Sequence, residues 1–130
     1  MRNRDLTFAK QRVSHWADKL REEFGLRGLV RVQWTRTMTG WQKPWPLAST
    51  RYWRMTHKRS RRFYTISLRI DAVGNREHAI TMLAHEFAHV LQRERYGRKD
   101  PWHSTRFYRE LHRVETFLWS QYRRARTSRA

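Results

Sequence analysis

Five consecutive residues, His85-Glu86-Phe87-Ala88-His89, carry the chemistry most legible in this sequence. Residues four apart on a helix share a face, so two imidazoles in this H-E-x-x-H spacing can reach one metal ion. Glu86 follows the first of them by one position, about 100° further around the axis. From there a carboxylate can take a proton from a metal-bound water instead of binding the metal. Zinc supplies Lewis acidity and lowers the pKa of that water, and the glutamate removes its proton as it attacks a carbonyl. With no cysteine in the chain, thiolate sites and disulfides are excluded, and any metal must be held by imidazole and carboxylate.

A catalytic zinc site needs a third protein ligand and an open position. The metzincin pattern would place glycine at 92 and histidine at 95, but Gln92 and Arg95 stand there, which excludes that class. A thermolysin-like site calls for a glutamate about twenty residues beyond the second histidine, and Glu110 lies near that distance. His103, in the stretch WHSTRF, ranks ahead of it, because the intervening loop lets the chain turn back towards the metal. His78 lies two helical turns before His85 and reads as a solvent-exposed histidine, while His15 and His57 have no assigned role.

The elements that must position these residues follow from periodicity. Ile80, Leu83, Phe87, Val90 and Leu91 form an apolar stripe within a helix over Arg76 to Tyr96, with Gly97 as its stop. That stripe centres about 180° from the two histidines, so one side can pack on a sheet while the other faces a cleft. Phe8, Val13, Trp16, Ala17, Leu20 and Phe24 predict an earlier helix from Leu6 to Phe24, ended by Gly25 and Gly28. Leu29 to Trp34, Arg51 to Thr56 and Phe63 to Ile70 read as strands, the last with Tyr64, Ile66, Leu68 and Ile70 on one face. Asp100-Pro101 resembles a helix cap with proline in the first turn, Ser104 being a rival cap, and that helix runs to about Arg124. The expectation is an α+β domain spanning residues 1–122: N-terminal helix, small antiparallel sheet of three strands, metal-binding helix and C-terminal helix, in a zincin-like arrangement. Residues 123–130 read as a basic, disordered tail.

With these stretches in view, the sequence resembles the SprT-like metallopeptidase family, which includes the Spartan proteases. LVRVQWTRTMT, FYTISLRI, TMLAHEFAHVL and HSTRF carry the resemblance, which covers roughly Leu20 to Val114. It implies His85, His89 and His103 as zinc ligands and Glu86 as general base, in a minimal version of the protease domain. Ser104 departs from the family, where glycine usually follows the third histidine. The C-terminal zinc-binding and partner-binding region of larger members is not matched. The resemblance also implies action on proteins crosslinked to DNA, with DNA bringing protease and target together.

Charge points the same way. The 130 residues hold 29 Lys+Arg against 11 Asp+Glu, a formal net charge of +18 and a pI near 11.6. Such an excess favours non-specific contact with nucleic acid phosphates. Its clusters, Arg2 to Arg12, Lys58 to Arg62, Arg93 to Lys99 and Arg123 to Arg129, are scattered, which suits a diffuse phosphate-binding surface better than a base-reading helix. Trp41, Trp45, Tyr52 and Trp53 flank a strand that could pair with an extended substrate, or they could stack on unpaired bases. No segment reads as a signal peptide or membrane span, so a cytoplasmic protein is expected, with a protein substrate, nucleic acid as partner and no membrane; a monomer is favoured, although the sequence leaves the oligomeric state open. The competing readings are a basic nucleic-acid-binding module with a structural or vestigial metal site, and a metal-dependent hydrolase acting on a non-peptide bond.

Overall fold

A computed structural model gives the fold and describes residues 3–26, 28–36, 48–55, 61–69, 76–97 and 99–127. In chain order the elements are α1 (Asn3–Glu23), β1 (Leu29–Thr35), β2 (Ala48–Met55), β3 (Arg61–Arg69), α2 (Arg76–Tyr96) and α3 (Thr105–Thr127). The α+β class expected from the pattern is the class observed.

Helix α1 buries Val13, Trp16, Ala17 and Leu20, which recur at the spacing that puts them on one face. It ends in a Schellman motif. Leu26 N–H donates to Arg21 C=O at 3.0 Å and Gly25 N–H to Glu22 C=O at 3.3 Å, with Gly25 at a φ of 65°. A side chain at Gly25 would strain that left-handed backbone.

The sheet has the order β1-β3-β2. β2 and β3 are antiparallel, Ala48 opposite Leu68 and Met55 opposite Arg61. β1 and β3 are parallel, Leu29 opposite Phe63 and Thr35 opposite Arg69. The sheet is therefore mixed, which corrects the expectation of an all-antiparallel one. Periodicity reports which face of a strand is buried, but not its neighbour. β1 and β2 do run in opposite directions, yet β3 lies between them and pairs with both. The end of β1 and the start of β2 sit at the same end of β3, separated by that one strand, about 9.5 Å. β2 also begins at Ala48, ahead of the expected Arg51, which brings Thr50 into the sheet.

Tyr64, Ile66 and Leu68 of β3 are at most 1% exposed and face the helices, as their alternation requires. Ile70, expected on the same face, lies outside the described residues. Against this sheet packs α2, which also meets α1 and α3. Its stripe Ile80, Leu83, Phe87, Val90 and Leu91 is fully buried. Burial continues round the helix through Met82, Glu86, His89 and Gln92, because neighbours cover the other faces too. Truncating one of these large apolar side chains to alanine costs about 2–5 kcal/mol through lost transfer energy and the cavity left behind.

Helix α2 stops at Gly97, whose φ is 81° and whose N–H donates to Arg93 C=O at 3.0 Å. Helix α3 starts at Thr105, and Ser104 is its cap: Ser104 Oγ accepts from Phe107 N–H at 3.2 Å. The Asp100-Pro101 start is thereby corrected, because Asp100 is committed to other partners. At its far end α3 reaches Thr127, so residues 123–127 of the expected tail are helical and 128–130 lie outside the described residues. No helix among the described residues is long and apolar enough to cross a membrane.

Candidate metal centre

Helix α2 delivers His85 and His89 one turn apart, their ring centroids 5.0 Å from each other. The loop between α2 and α3 returns His103 to the same place. Its ring centroid lies 5.1 Å from that of His85 and 5.0 Å from that of His89. His85 Nε2 and His103 Nε2 are 3.2 Å apart, and one donor nitrogen from each of the three histidines falls within 4.8 Å of the others. Among the described residues no other group of metal-binding side chains converges in this way. The tetrahedral arrangement that zinc imposes on imidazoles separates nitrogens by about 3.3 Å, so the donor set and its spacing fit a metal ion.

Bringing His103 there requires backbone strain. Its φ is 57°, a left-handed value that no other described non-glycine residue adopts. The strain falls on His103 itself and not on Ser104, so nothing in the backbone demands glycine at 104. Serine there caps α3 instead.

An aromatic floor orients the rings. Phe107, fully buried, stacks on His89 at 4.3 Å and meets His85 and His103 edge-on at 5.1 and 4.9 Å. Trp102 stacks on His89 at 4.0 Å, so the His89 imidazole is held in plane between two rings. Trp102 is nevertheless 65% exposed, and with Tyr108, 56% exposed, it makes an aromatic rim around His103.

Burial favours the neutral form of His85 and His89. Burial, aided by repulsion from His103, lowers the pKa of His85. Burial also pulls His89 down to about 4, against the hydrogen bond its ring donates to Gln92 Oε1, with His85 and His103 adding to the fall. A neutral imidazole is the form that binds metal, so proton competition is weak.

Glu86 is buried beside β2, and Thr50 Oγ donates to Glu86 Oε2 at 2.6 Å. Burial raises the pKa of Glu86, and the Thr50 hydrogen bond partly offsets this. The carboxylate is thus held in one orientation with enhanced basicity, the setting a general base requires.

Glu110, the rival third ligand, does not join the cluster. It is 1% exposed, and both its oxygens accept from Arg95 Nη1 at 3.0 Å. Tyr96 Oη donates to it at 3.3 Å, and Arg113 Nη1 lies 3.6 Å away. It braces α2 against α3. His78 is half-buried on α2 and His112 and His15 are exposed, none of them within the cluster. His57, Trp41 and Trp45 lie outside the described residues, as do the side chains of Tyr52 and Trp53.

No motif marks three further residues of this site, Thr50, Gln92 and Phe107. Thr50 falls just before the strand expected from Arg51. Gln92 served only to exclude another motif, although it follows His89 at i+3, where a side chain meets its neighbour. Phe107 lies in the first turn of α3 and His103 precedes that helix in a left-handed conformation, so helical spacing gives no such signal for it.

No family model matches the chain, and no curated protein or solved structure does either.

Proposed function

We propose that the chain is a zinc-dependent endopeptidase of the SprT-like kind, acting on proteins bound or crosslinked to nucleic acid. The observation that carries the reading is the convergence of His85, His89 and His103, with the buried glutamate Glu86 following the first of them. A site that only stabilises the fold has no use for a buried carboxylate oriented in this way. His85, His89 and His103 would hold the ion, and a donor set of imidazoles alone suits zinc. Zinc in that position supplies Lewis acidity and lowers the pKa of water.

The rest falls to the residues of the chain. Glu86 takes the proton of the attacking water, whose oxygen bonds to the carbonyl carbon of the scissile peptide. The proton passes to the amide nitrogen as the C–N bond breaks, leaving a carboxylic acid and an amine, between which the remaining acidic proton is exchanged. Thr50 holds the carboxylate of Glu86 during both transfers. β2 carries Thr50 and, among the described residues, pairs on one edge only, so its other edge can take an extended peptide as an added strand. That places the substrate backbone along the strand nearest Glu86.

Nucleic acid contact rests on charge and on what surrounds the site. The net charge is +18, and Lys99, Arg106 and Arg109 are exposed near Trp102 of the loop before α3 and Tyr108 of its first turn. Cations with exposed rings suit unpaired strands, whose phosphates and base faces they can meet together.

The test is self-cleavage of the zinc-loaded protein, with and without single-stranded DNA, beside Glu86→Gln. Fragments that appear with DNA and are lost in the variant support the reading. Fragments indifferent to DNA keep the peptidase and remove the nucleic-acid partner. Tight DNA binding with no cleavage of self or added protein moves the function to a nucleic-acid-binding module.

A further inference from the structure

We propose that Gln92 and Asp100 form a positioning relay that fixes the tautomer of His89 and ties it to the loop bearing His103. The inference rests on the reading of His85, His89 and His103 as metal ligands, and deepens it.

Gln92 is 2% exposed, so its amide must find partners within the protein. One end faces oxygen atoms only. Gln92 Nε2 donates to Asp100 Oδ2 at 2.6 Å and to Pro101 C=O at 2.7 Å, with Ser104 Oγ at 3.3 Å. Those acceptors leave the amide no choice of orientation, because its oxygen turned towards a carboxylate and a carbonyl would meet repulsion. The amide oxygen therefore faces His89, with Oε1 3.3 Å from Nδ1. An acceptor at that position requires His89 to carry its proton on Nδ1. The lone pair then sits on Nε2, the far nitrogen of the ring. A metal-ligating histidine commonly gives its second N–H to such a partner, and here an amide stands between the imidazole and the carboxylate.

The same amide reaches the loop that carries another ligand. Asp100, Pro101 and Ser104 bracket His103, and Ser104 Oγ donates to Asp100 Oδ2 at 2.7 Å. These bonds hold Asp100 ionised, its pKa lowered by Gln92 and Ser104 and by nearby Arg106. Trp102 and Phe107 fix the plane of the His89 ring, and Gln92 fixes its rotation within that plane. Losing an outer partner of this kind lowers metal affinity by about 10–100-fold.

The experiment uses the full chain, with ¹⁵N-histidine NMR on the metal-free protein and zinc affinity measured by chelator competition. In the wild type the ring ¹⁵N shifts of His89 are expected to report protonation at Nδ1. Gln92→Leu is expected to lose that tautomer preference and to bind zinc about 10–100-fold more weakly. Gln92→Glu keeps an acceptor at Nδ1 but sets a carboxylate against Asp100. It should retain the tautomer while losing affinity, and Asp100→Asn in the same chain should restore part of it. Wild-type His89 protonated at Nε2 without metal overturns the relay, whatever the zinc result. Wild-type zinc affinity in Gln92→Leu overturns it as well. A wild type that shows the Nδ1 tautomer and yet binds no zinc leaves the relay standing as a structural device and refutes the metal reading instead. If Gln92→Leu fails to fold, the Gln92→Glu and Asp100→Asn pair carries the same comparison.

Discussion

Replacing Glu110 and His103 separately by alanine tests the division of labour between them. Glu110 is 1% exposed and accepts both contacts from Arg95 Nη1 at 3.0 Å. A hydrogen bond to a charged group contributes about 1.5–3 kcal/mol. Arg95 is 32% exposed, so water recovers part of what its guanidinium loses. Arg113, 49% exposed at 3.6 Å, adds little. The net loss for Glu110→Ala is then about 2–3 kcal/mol. An unfolding entropy of about 2.1 cal/mol/K per residue makes that a fall in Tm of roughly 7–11 °C for a chain of this length. Zinc affinity, measured by competition with a chromophoric chelator, should stay near wild type. His103→Ala should do the reverse. The side chain is exposed, so the metal-free protein keeps its Tm, while zinc affinity falls by orders of magnitude with one of three ligands gone. If Glu110→Ala instead abolished zinc binding with an unmoved Tm, and His103→Ala bound zinc normally, the assignment of brace and ligand would be refuted.

Thr50→Val keeps the side-chain shape and removes the hydroxyl that donates to Glu86. The pKa of Glu86 should rise further, moving the acidic limb of kcat/KM against pH upwards, and an unmoved limb would remove Thr50 from the site. The metal-free protein should lose stability as pH falls from about 6.5 towards 4. His85 and His89 have folded pKa values below the ordinary one, His89 at about 4, so the unfolded chain binds protons first in that window. Glu86, whose folded pKa is raised, acts in the opposite direction in the same window. Denaturant unfolding at several pH values is therefore compared in a Glu86→Gln background, where stability that is flat or rises towards pH 4 would contradict the buried, neutral His85 and His89.

The amino-acid order alone determined a good deal. The H-E-x-x-H spacing places its histidines on one face of any helix, whatever surrounds it, because 3.6 residues per turn is a local property. The stripe from Ile80 to Leu91 and the stop at Gly97 are equally local, and α2 has the predicted bounds, Arg76–Tyr96. The apolar alternation of Tyr64, Ile66 and Leu68 announced which face of β3 would be buried. The ranking of His103 over Glu110 rested on loop length, and the chain does turn back to bring His103 beside His85.

What tertiary structure decided is everything that depends on a neighbour distant in sequence. Strand periodicity is the same in parallel and antiparallel pairs, so the insertion of β3 between β1 and β2 left no trace in the pattern. His103, just before α3, and Glu110, within it, are both polar residues close in sequence. Only the packing of α2 on α3 sets Arg95 against Glu110 and leaves His103 to the imidazoles. Thr50 and Gln92 are unremarkable as letters. They gain roles because β2 lies alongside α2 and because the loop of Asp100 folds back over it. A hydrogen bond across 36 or 8 residues is settled by the closure of the chain, which local propensity does not encode.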